Sequence, residues 1–405
     1  MTTKNNIPAG YKDSAVGIIP QEWEVKPVKD FGQVVTGNTP STAEVSNYGD
    51  EYMFVSPADL SDDKKYIFRT EKMLSSKGYA VSRKMPKGAI LYTCIGSTIG
   101  KIGIASCELT SNQQINAVIC NDNNEYLYYG LLFLTGRIKM LAGEQAVPII
   151  NKSDFERIKL AVPPMEEQRK IAEILGVWDE AIEKQSRLIE KLELRKRALM
   201  QRLLTGRTRL PGFIDEVLYK KLKPFIVEKS ERNTNQTYTN VLSVTNNRGF
   251  INQAEQFDRE VASDNTVNYK LVRKGQFAYN PSRVNVGSLD LLQTYEYGIL
   301  SPMYIVFETR QTMDPKFLFY QLKSGWFVGH IPMYVQGSVR DSLSFDGLEN
   351  MRFWIPSLPE QKAIAEVLTT ADKEIATHRK KLDALRLQKR GLMQQLLTGK
   401  TRVKI

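Results

Sequence analysis

Residues 163–209 read PPMEEQRKIAEILGVWDEAIEKQSRLIEKLELRKRALMQRLLTGRTR, and residues 356–402 read PSLPEQKAIAEVLTTADKEIATHRKKLDALRLQKRGLMQQLLTGKTR. The two stretches align without a gap at an offset of 193 and are identical at 22 of 47 positions. Chance does not produce that, so the chain is internally duplicated. Both copies are built of strong helix formers, with no proline after the first few positions, and each closes at a glycine, Gly206 or Gly399, where a left-handed cap residue belongs. In the second copy Ser357 and Glu360 have the spacing of a capping box.

Alternating steps of four and three trace one seam on each helix. In the first copy it runs Ile171, Leu175, Trp178, Ile182, Gln185, Ile189, Leu192, Lys196, Leu199, Leu203; in the second, Ile364, Leu368, Ala371, Ile375, His378, Leu382, Leu385, Lys389, Leu392, Leu396. Eight of ten positions are apolar in each, the pattern of a coiled-coil seam. The polar interruptions are repeat mates, Gln185 with His378 and Lys196 with Lys389. Polar seam residues fix register at a cost in stability, so this placement predicts that the two helices pair with each other. Charge predicts the direction. Residues 166–183 carry net −4 and 184–209 net +7, while 359–376 carry −2 and 377–402 carry +7. Antiparallel pairing sets acidic halves against basic halves and suits the helix dipoles. About 39 residues at 1.5 Å each span roughly 58 Å, so the helices are expected to act as a spacer.

Outward from the helices lie two units of about 150 residues each. Lys87 to Ala105 and Tyr297 to Phe307 have the composition of strands, and Tyr126 to Leu141 that of a helix. A faint echo links the units: Gly88, Tyr92 and Gly100 match Gly275, Tyr279 and Gly287, and Glu22, Lys26, Lys29 and Phe31 match Glu216, Lys220, Lys223 and Phe225. The expected fold class is α+β, two mixed domains joined by an intramolecular antiparallel coiled coil with pseudo-two-fold character. The expected domains are 1–162, helix 163–206, 207–355 and helix 356–400.

The 405 residues are 42% hydrophobic and 25% charged, a globular composition too long for one ordinary core. No apolar run approaches the ~18 residues of a membrane span, and the N-terminus lacks the apolar core of a signal peptide. No membrane association and a cytoplasmic location are expected. Cys94, Cys107 and Cys120 form no CxxC pair, and two histidines, His330 and His378, leave little room for a triad or a histidine metal centre. Net charge is +11, which suits a polyanionic partner; the helices hold +3 and +5 of it, so the units are nearly neutral. Base readout needs Arg, Asn, Gln, Ser and Thr on loops. The first unit offers Ser97, Thr98, Asn112, Gln113 and Gln114; the second offers Asn280, Arg283, Asn285, Ser338 and Arg340. Ordinary surface hydrogen bonding is the competing reading of each. Two-fold nucleic-acid readers place half-sites at a set separation, which a helical spacer between two different readers would also do.

Catalytic motifs fail. Gly96 to Lys101 has three rather than four residues between its glycines and no hydroxyl after the lysine, which makes it a glycine-bearing strand or turn rather than a phosphate loop. Asn280-Pro281-Ser282-Arg283 lacks the second proline and the aromatic of an amino-methyltransferase motif, and no GxGxxG accompanies it. Glu24-Val25-Lys26 behind Asp13 is too loosely spaced for a nuclease.

Glu-Gln followed by Ile-Ala-Glu-x-Leu from Glu167 and again from Glu360, Leu-Leu-Thr-Gly from Leu203 and Leu396, and the opening Pro20-Gln-Glu-Trp-Glu-Val25 give the chain its family likeness. End to end it resembles the DNA specificity subunits of type I restriction-modification systems. The resemblance implies two target recognition domains for double-stranded DNA, separated by two conserved helical regions. It implies a pair of partner methyltransferase subunits using S-adenosylmethionine and restriction/translocase subunits using ATP and Mg. It implies no catalytic residue, metal or cofactor on this chain. The alternatives are a bifunctional chain that both recognises and modifies, which would need a complete cofactor fold, and a non-catalytic coiled-coil scaffold, whose helices would pair between chains.

Overall fold

The computed structural model describes residues 7–61, 63–143, 147–214, 216, 219–253, 265–335 and 342–405. Two helices of 39 residues, Met165–Leu203 and Leu358–Leu396, occupy the repeated sequence. Each ends at its glycine, with φ of 69° at both Gly206 and Gly399. Beyond it the amide of Thr208 returns to the Arg202 carbonyl and that of Thr401 to Gln395. A side chain would fit neither glycine, because a Cβ on Gly206 would lie 2.9 Å from the Trp354 ring and one on Gly399 2.4 Å from Pro20.

The chain divides into two units, Met1–Ile189 with His378–Ile405, and Glu190–Thr377. Each therefore holds the start of one long helix and the end of the other. In the first unit a sheet runs in the order Gly32–Thr36, Ile115–Cys120, Ile90–Thr93, Ile102–Ala105, Tyr66–Ile67. All neighbours are antiparallel except the last pair. A second sheet runs Tyr48–Gly49, Lys72–Leu74, Tyr52–Val55, Leu109–Ser111, Lys84–Met85. Alternation along the central strand explains the layering: Ile90 and Tyr92 point to a core shared with helix Asn124–Met140 and with Ile171, Leu175 and Leu396 of the long helices. Leu91 points into a second core with Val55, Met85 and Leu109 of the other sheet. Buried on both faces, these strands read as continuous apolar runs.

The second unit repeats the plan. Its sheet, Ile226–Lys229, Ile305–Thr309, Phe277–Tyr279, Leu289–Leu291, has the order and sense of the first four strands above. Phe277 and Tyr279 face a core with helix Pro315–Leu322 and with Leu203, Ile364 and Leu368. Ala278 faces Val244, Val272 and Leu300 of two antiparallel pairs, Leu242–Thr245 with Gly249–Asn252 and Lys270–Arg273 with Tyr297–Leu300. The faint echo has a conformational cause. Gly88 and Gly275 have φ of 89° and 88°, Gly100 and Gly287 of 96° and 97°, and Tyr92 and Tyr279 are fully buried between them. In each unit an antiparallel strand pair lies next to the long helices, Glu24–Pro27 with Lys159–Val162 and Tyr219–Lys221 with Arg352–Trp354. Among the described residues no helix is long and apolar enough to cross a membrane.

Candidate nucleic-acid interface

In the first unit, five of the residues picked out for base readout sit on two neighbouring turns. Ser97 and Thr98 lie between strands Ile90–Thr93 and Ile102–Ala105, Ser97 exposed and Thr98 half-buried. The segment from Gly96 to Lys101 is thus a turn between strands, with Gly96 at φ 88°. Asn112, Gln113 and Gln114 form the turn before Ile115–Cys120. The Cys94 amide donates to the Gln114 carbonyl at 2.8 Å, which holds the two turns side by side. Asn112 and Gln114 satisfy each other, with Nδ2 to Oε1 at 2.9 Å and the Gln114 amide to Oδ1 at 3.1 Å, so they shape the turn. Gln113 projects into solvent, and its Oε1 accepts from Thr39. Thr39 and Asn38 follow Gly37, where a Cβ would lie 2.2 Å from the Asn112 carbonyl oxygen. Asn38 in turn accepts from the Arg83 amide at 2.7 Å, and the Arg83 guanidinium donates to the Thr36 carbonyl. Asn38, Thr39 and Arg83 belong to the same loop cluster, although they are far apart in sequence and carry no motif.

In the second unit, Asn280, Arg283 and Asn285 share the turn between Phe277–Tyr279 and Leu289–Leu291, the counterpart of the Ser97–Thr98 turn. Asn280 shapes it by accepting from the Ser282 amide at 3.1 Å, and its Nδ2 lies 3.4 Å from the Met303 sulfur. Arg283 and Asn285 are exposed, and the Arg283 guanidinium makes no ion pair among the described residues. The turn closes at Gly287, whose carbonyl accepts from Lys323 at 3.3 Å. Burial lowers the Lys323 pKa and raises that of Asp290 opposite it. Ser338 and Arg340 lie outside the described residues.

On the long helices every seam position is buried or half-buried: Ile171, Leu175, Ile182, Gln185, Ile189, Leu192 and Leu203 are buried on the first, with Trp178, Lys196 and Leu199 half-buried. On the second, Ile364, Leu368, Ala371, Ile375, Leu382, Lys389 and Leu396 are buried, with His378, Leu385 and Leu392 half-buried. In the first unit Arg402 binds Glu167 at 2.7 and 2.9 Å, Lys389 pairs with Asp179, and the Gln185 amide nitrogen reaches His378 Nδ1 at 2.8 Å. In the second, Arg209 binds Glu360 at 2.7 and 2.6 Å, Arg195 pairs with Glu374, and Lys196 pairs with Asp372 at 2.5 Å. As numbers rise on one helix, partners fall on the other.

The polar interruptions flagged two lysines; their partners Asp179 and Asp372 are also repeat mates but were not singled out. Each aspartate additionally accepts from a tyrosine of its own unit, Tyr129 at 2.5 Å and Tyr320 at 2.7 Å, and burial followed by the nearby carboxylate holds both hydroxyls protonated. Glu167 and Glu360 are fully buried. Hydrogen bonding to Glu167 holds the Arg402 pKa well above its ordinary range. Among the described residues no group of three His, Cys, Asp or Glu side chains could hold a metal.

A family model described as the type I restriction modification DNA specificity domain matches residues 20–194 and again 212–387. The chain is 36% identical over 196 residues to the type I restriction enzyme MjaIX specificity subunit of Methanocaldococcus jannaschii, a match spanning 45% of each protein. It is 25% identical over 421 residues to the MjaVIII specificity subunit of the same organism, covering 95% of this chain and 94% of that one. The crystal structure of the type I restriction-modification system S subunit from M. genitalium superposes with a TM-score of 0.55 at 16% identity, over 98% of this chain and 99% of the other, a likeness of fold.

Proposed function

We propose that this chain, which belongs to the type I restriction modification DNA specificity family, reads an asymmetric bipartite site in double-stranded DNA, one half with each unit. Two domain matches on one chain and near full-length similarity to specificity subunits are the premise. The observation that carries the reading is that the two units share a sheet of the same order and sense but present different side chains on its turns: Ser97, Thr98 and Gln113 in one, Arg283 and Asn285 in the other. A common frame with different turns is what two different half-sites require.

In this reading residues 1–162 and 207–355 are the target recognition domains, and 163–206 and 356–400 pair as an intramolecular antiparallel coiled coil with pseudo-two-fold character. The falling order of partners supports the direction, and the facing of repeat mates Gln185 and His378 supports the symmetry. Helix length, rather than either domain, then sets the number of base pairs between half-sites. The chain recognises and does not catalyse. Methyltransferase subunits, two in number, would supply S-adenosylmethionine chemistry on adenine, and restriction/translocase subunits would supply ATP and Mg. The near-neutral charge of the units supports a partner that contributes phosphate contacts.

The test is a map of methylated adenines in DNA from cells expressing this chain with its methyltransferase subunit, against cells expressing either alone. A bipartite asymmetric motif only when both are present is expected. Methylation by this chain alone would overturn the non-catalytic reading, and no motif with a verified assembled partner would overturn recognition. Removing seven residues from each long helix should change the spacer and leave both half-sites intact.

A further inference from the structure

The turns of the two units differ in chemistry as well as in sequence. In the first unit the tips of the two turns are hydroxyl and amide groups, Ser97 and Gln113, and the exposed apolar side chains near them, Val81 and Ile149, stand on neighbouring connections. In the second, the turn that takes the place of Asn112–Gln114 runs from Ser301 between Tyr297–Leu300 and Ile305–Thr309, and it exposes Met303 at 61%. The neighbouring turn exposes Val286 at 59%, whereas the first unit buries Ile99 at the corresponding step before its glycine. The two apolar side chains are not stray. Met303 is fixed to Asn280 through its sulfur, the Arg283 amide donates to the Asn280 carbonyl at 3.0 Å, and the Val286 amide to the Arg283 carbonyl at 3.2 Å. Two adjoining turns thus set a methionine and a valine beside the Asn285 amide and a guanidinium that makes no ion pair among the described residues.

A base-pair edge in the major groove offers a match to this set. Guanine presents two acceptors to an arginine, and thymine presents a C5 methyl group to an apolar side chain. Exposed apolar groups next to a cation without an ion pair among the described residues are poorly suited to a protein core partner, which would have to desolvate that cation. Resting on the reading above, we propose that the second unit selects its half-site in part through thymine methyl groups contacted by Met303 and Val286, with Arg283 bound to a neighbouring base. Met303 and Val286 are then specificity-determining residues.

The test uses the assembled complex of this chain with its methyltransferase subunit, and duplexes carrying its mapped site with deoxyuridine in place of each thymidine in turn. The substitution removes only the C5 methyl. For the half-site that persists when residues 11–161 are exchanged for a relative's, at least one substitution should weaken binding by about fourfold, the worth of one buried methyl group. In Met303→Ala or Val286→Ala complexes, shown by thermal melting to be folded, that penalty should vanish, while the other half-site behaves as before. Neutral uridine throughout that half-site would overturn the proposal, as would a penalty that both variants retain or a half-site without thymine on either strand. The absence of any bipartite site for the wild-type complex is a different result, because it removes the recognition reading itself.

Discussion

Between strands Tyr52–Val55 and Lys72–Leu74 the first unit inserts residues 56–71, whereas between Leu242–Thr245 and Gly249–Asn252 the second turns within three residues, 246–248. The long connection supplies Tyr66–Ile67, the parallel fifth strand, and sends Leu60 and Ile67 into the core between the sheets. It is tied down by Lys65 to Glu125 at 3.1 Å and by Asp63 to Arg386. The short turn is closed by Asp290, which accepts from the Phe250 amide at 3.0 Å, and by Gly249, at φ 64°. The position of Asp290 on its strand is that of Gly103 in the first unit. A Cβ on Gly103 would already lie 3.0 Å from Ile67 and Leu60. One frame thus accepts two connections, and a glycine or an aspartate at a single strand position decides which one fits.

Exchanging those residues should break the comparison most sharply. Gly103→Asp would drive a carboxylate into Ile67 and Leu60 with no partner, and a loss of about 4 kcal/mol is expected in urea unfolding, combining overpacking with an unpaired buried charge. Replacing residues 56–71 by Asn-Asn-Arg should remove most of that penalty, and a variant left equally unstable would refute the complementarity. Asp290→Ala should cost about 2 kcal/mol, since the Phe250 amide loses its acceptor in a buried setting. Hydrogen exchange should localise the loss to residues 242–252.

The repeat-mate ion pairs sharpen the comparison further. The Lys389 side chain is 9% exposed and that of Lys196 is 23% exposed. Asp179→Asn is therefore expected to cost about 2 kcal/mol and Asp372→Asn about 1 kcal/mol, because solvent screens the more exposed pair. Equal losses in unfolding would show that burial does not govern them. The smallest effect is on pH. Burial raises the Asp290 carboxyl, with Lys323 the cation facing it, so the stability this group contributes is full below the ordinary aspartate range and is lost as pH rises through its folded value. Asp290→Asn should keep the Phe250 hydrogen bond and flatten that dependence, read as Phe250 amide protection between pH 4 and 8.

The helices were legible because their signal is local. The four-and-three spacing of the seam and the terminal glycines mark the stretches in which Met165–Leu203 and Leu358–Leu396 form, and the glycine echo marks equal backbone conformations. The tryptophans show where local reading ends. Trp23 stands before one strand of its pair and Trp354 on the opposite strand of the other, yet both pack at the end of a long helix, beside Gly399 and Gly206, under Arg402 and Arg209. The Trp23 indole donates to Glu167 at 3.0 Å, while the Trp354 nitrogen has no hydrogen-bond partner among the described residues. No alignment of the two halves pairs these residues. The loop cluster was half legible for the same reason: turn composition flags Asn112–Gln114 and Asn280–Asn285, but Asn38, Thr39, Arg83 and Met303 join them only through strand order.

By itself the sequence determined the duplication, the two long helices with their seam and charge halves, and the want of a complete catalytic motif, all of which rest on residue type and spacing along the chain. The tertiary structure alone decided that the units share the plan of one sheet, that Gly103 and Asp290 answer different connections, and which turns stand side by side. Those facts depend on contacts between residues far apart in sequence, and a single strand position can exchange its partner without leaving any periodic mark.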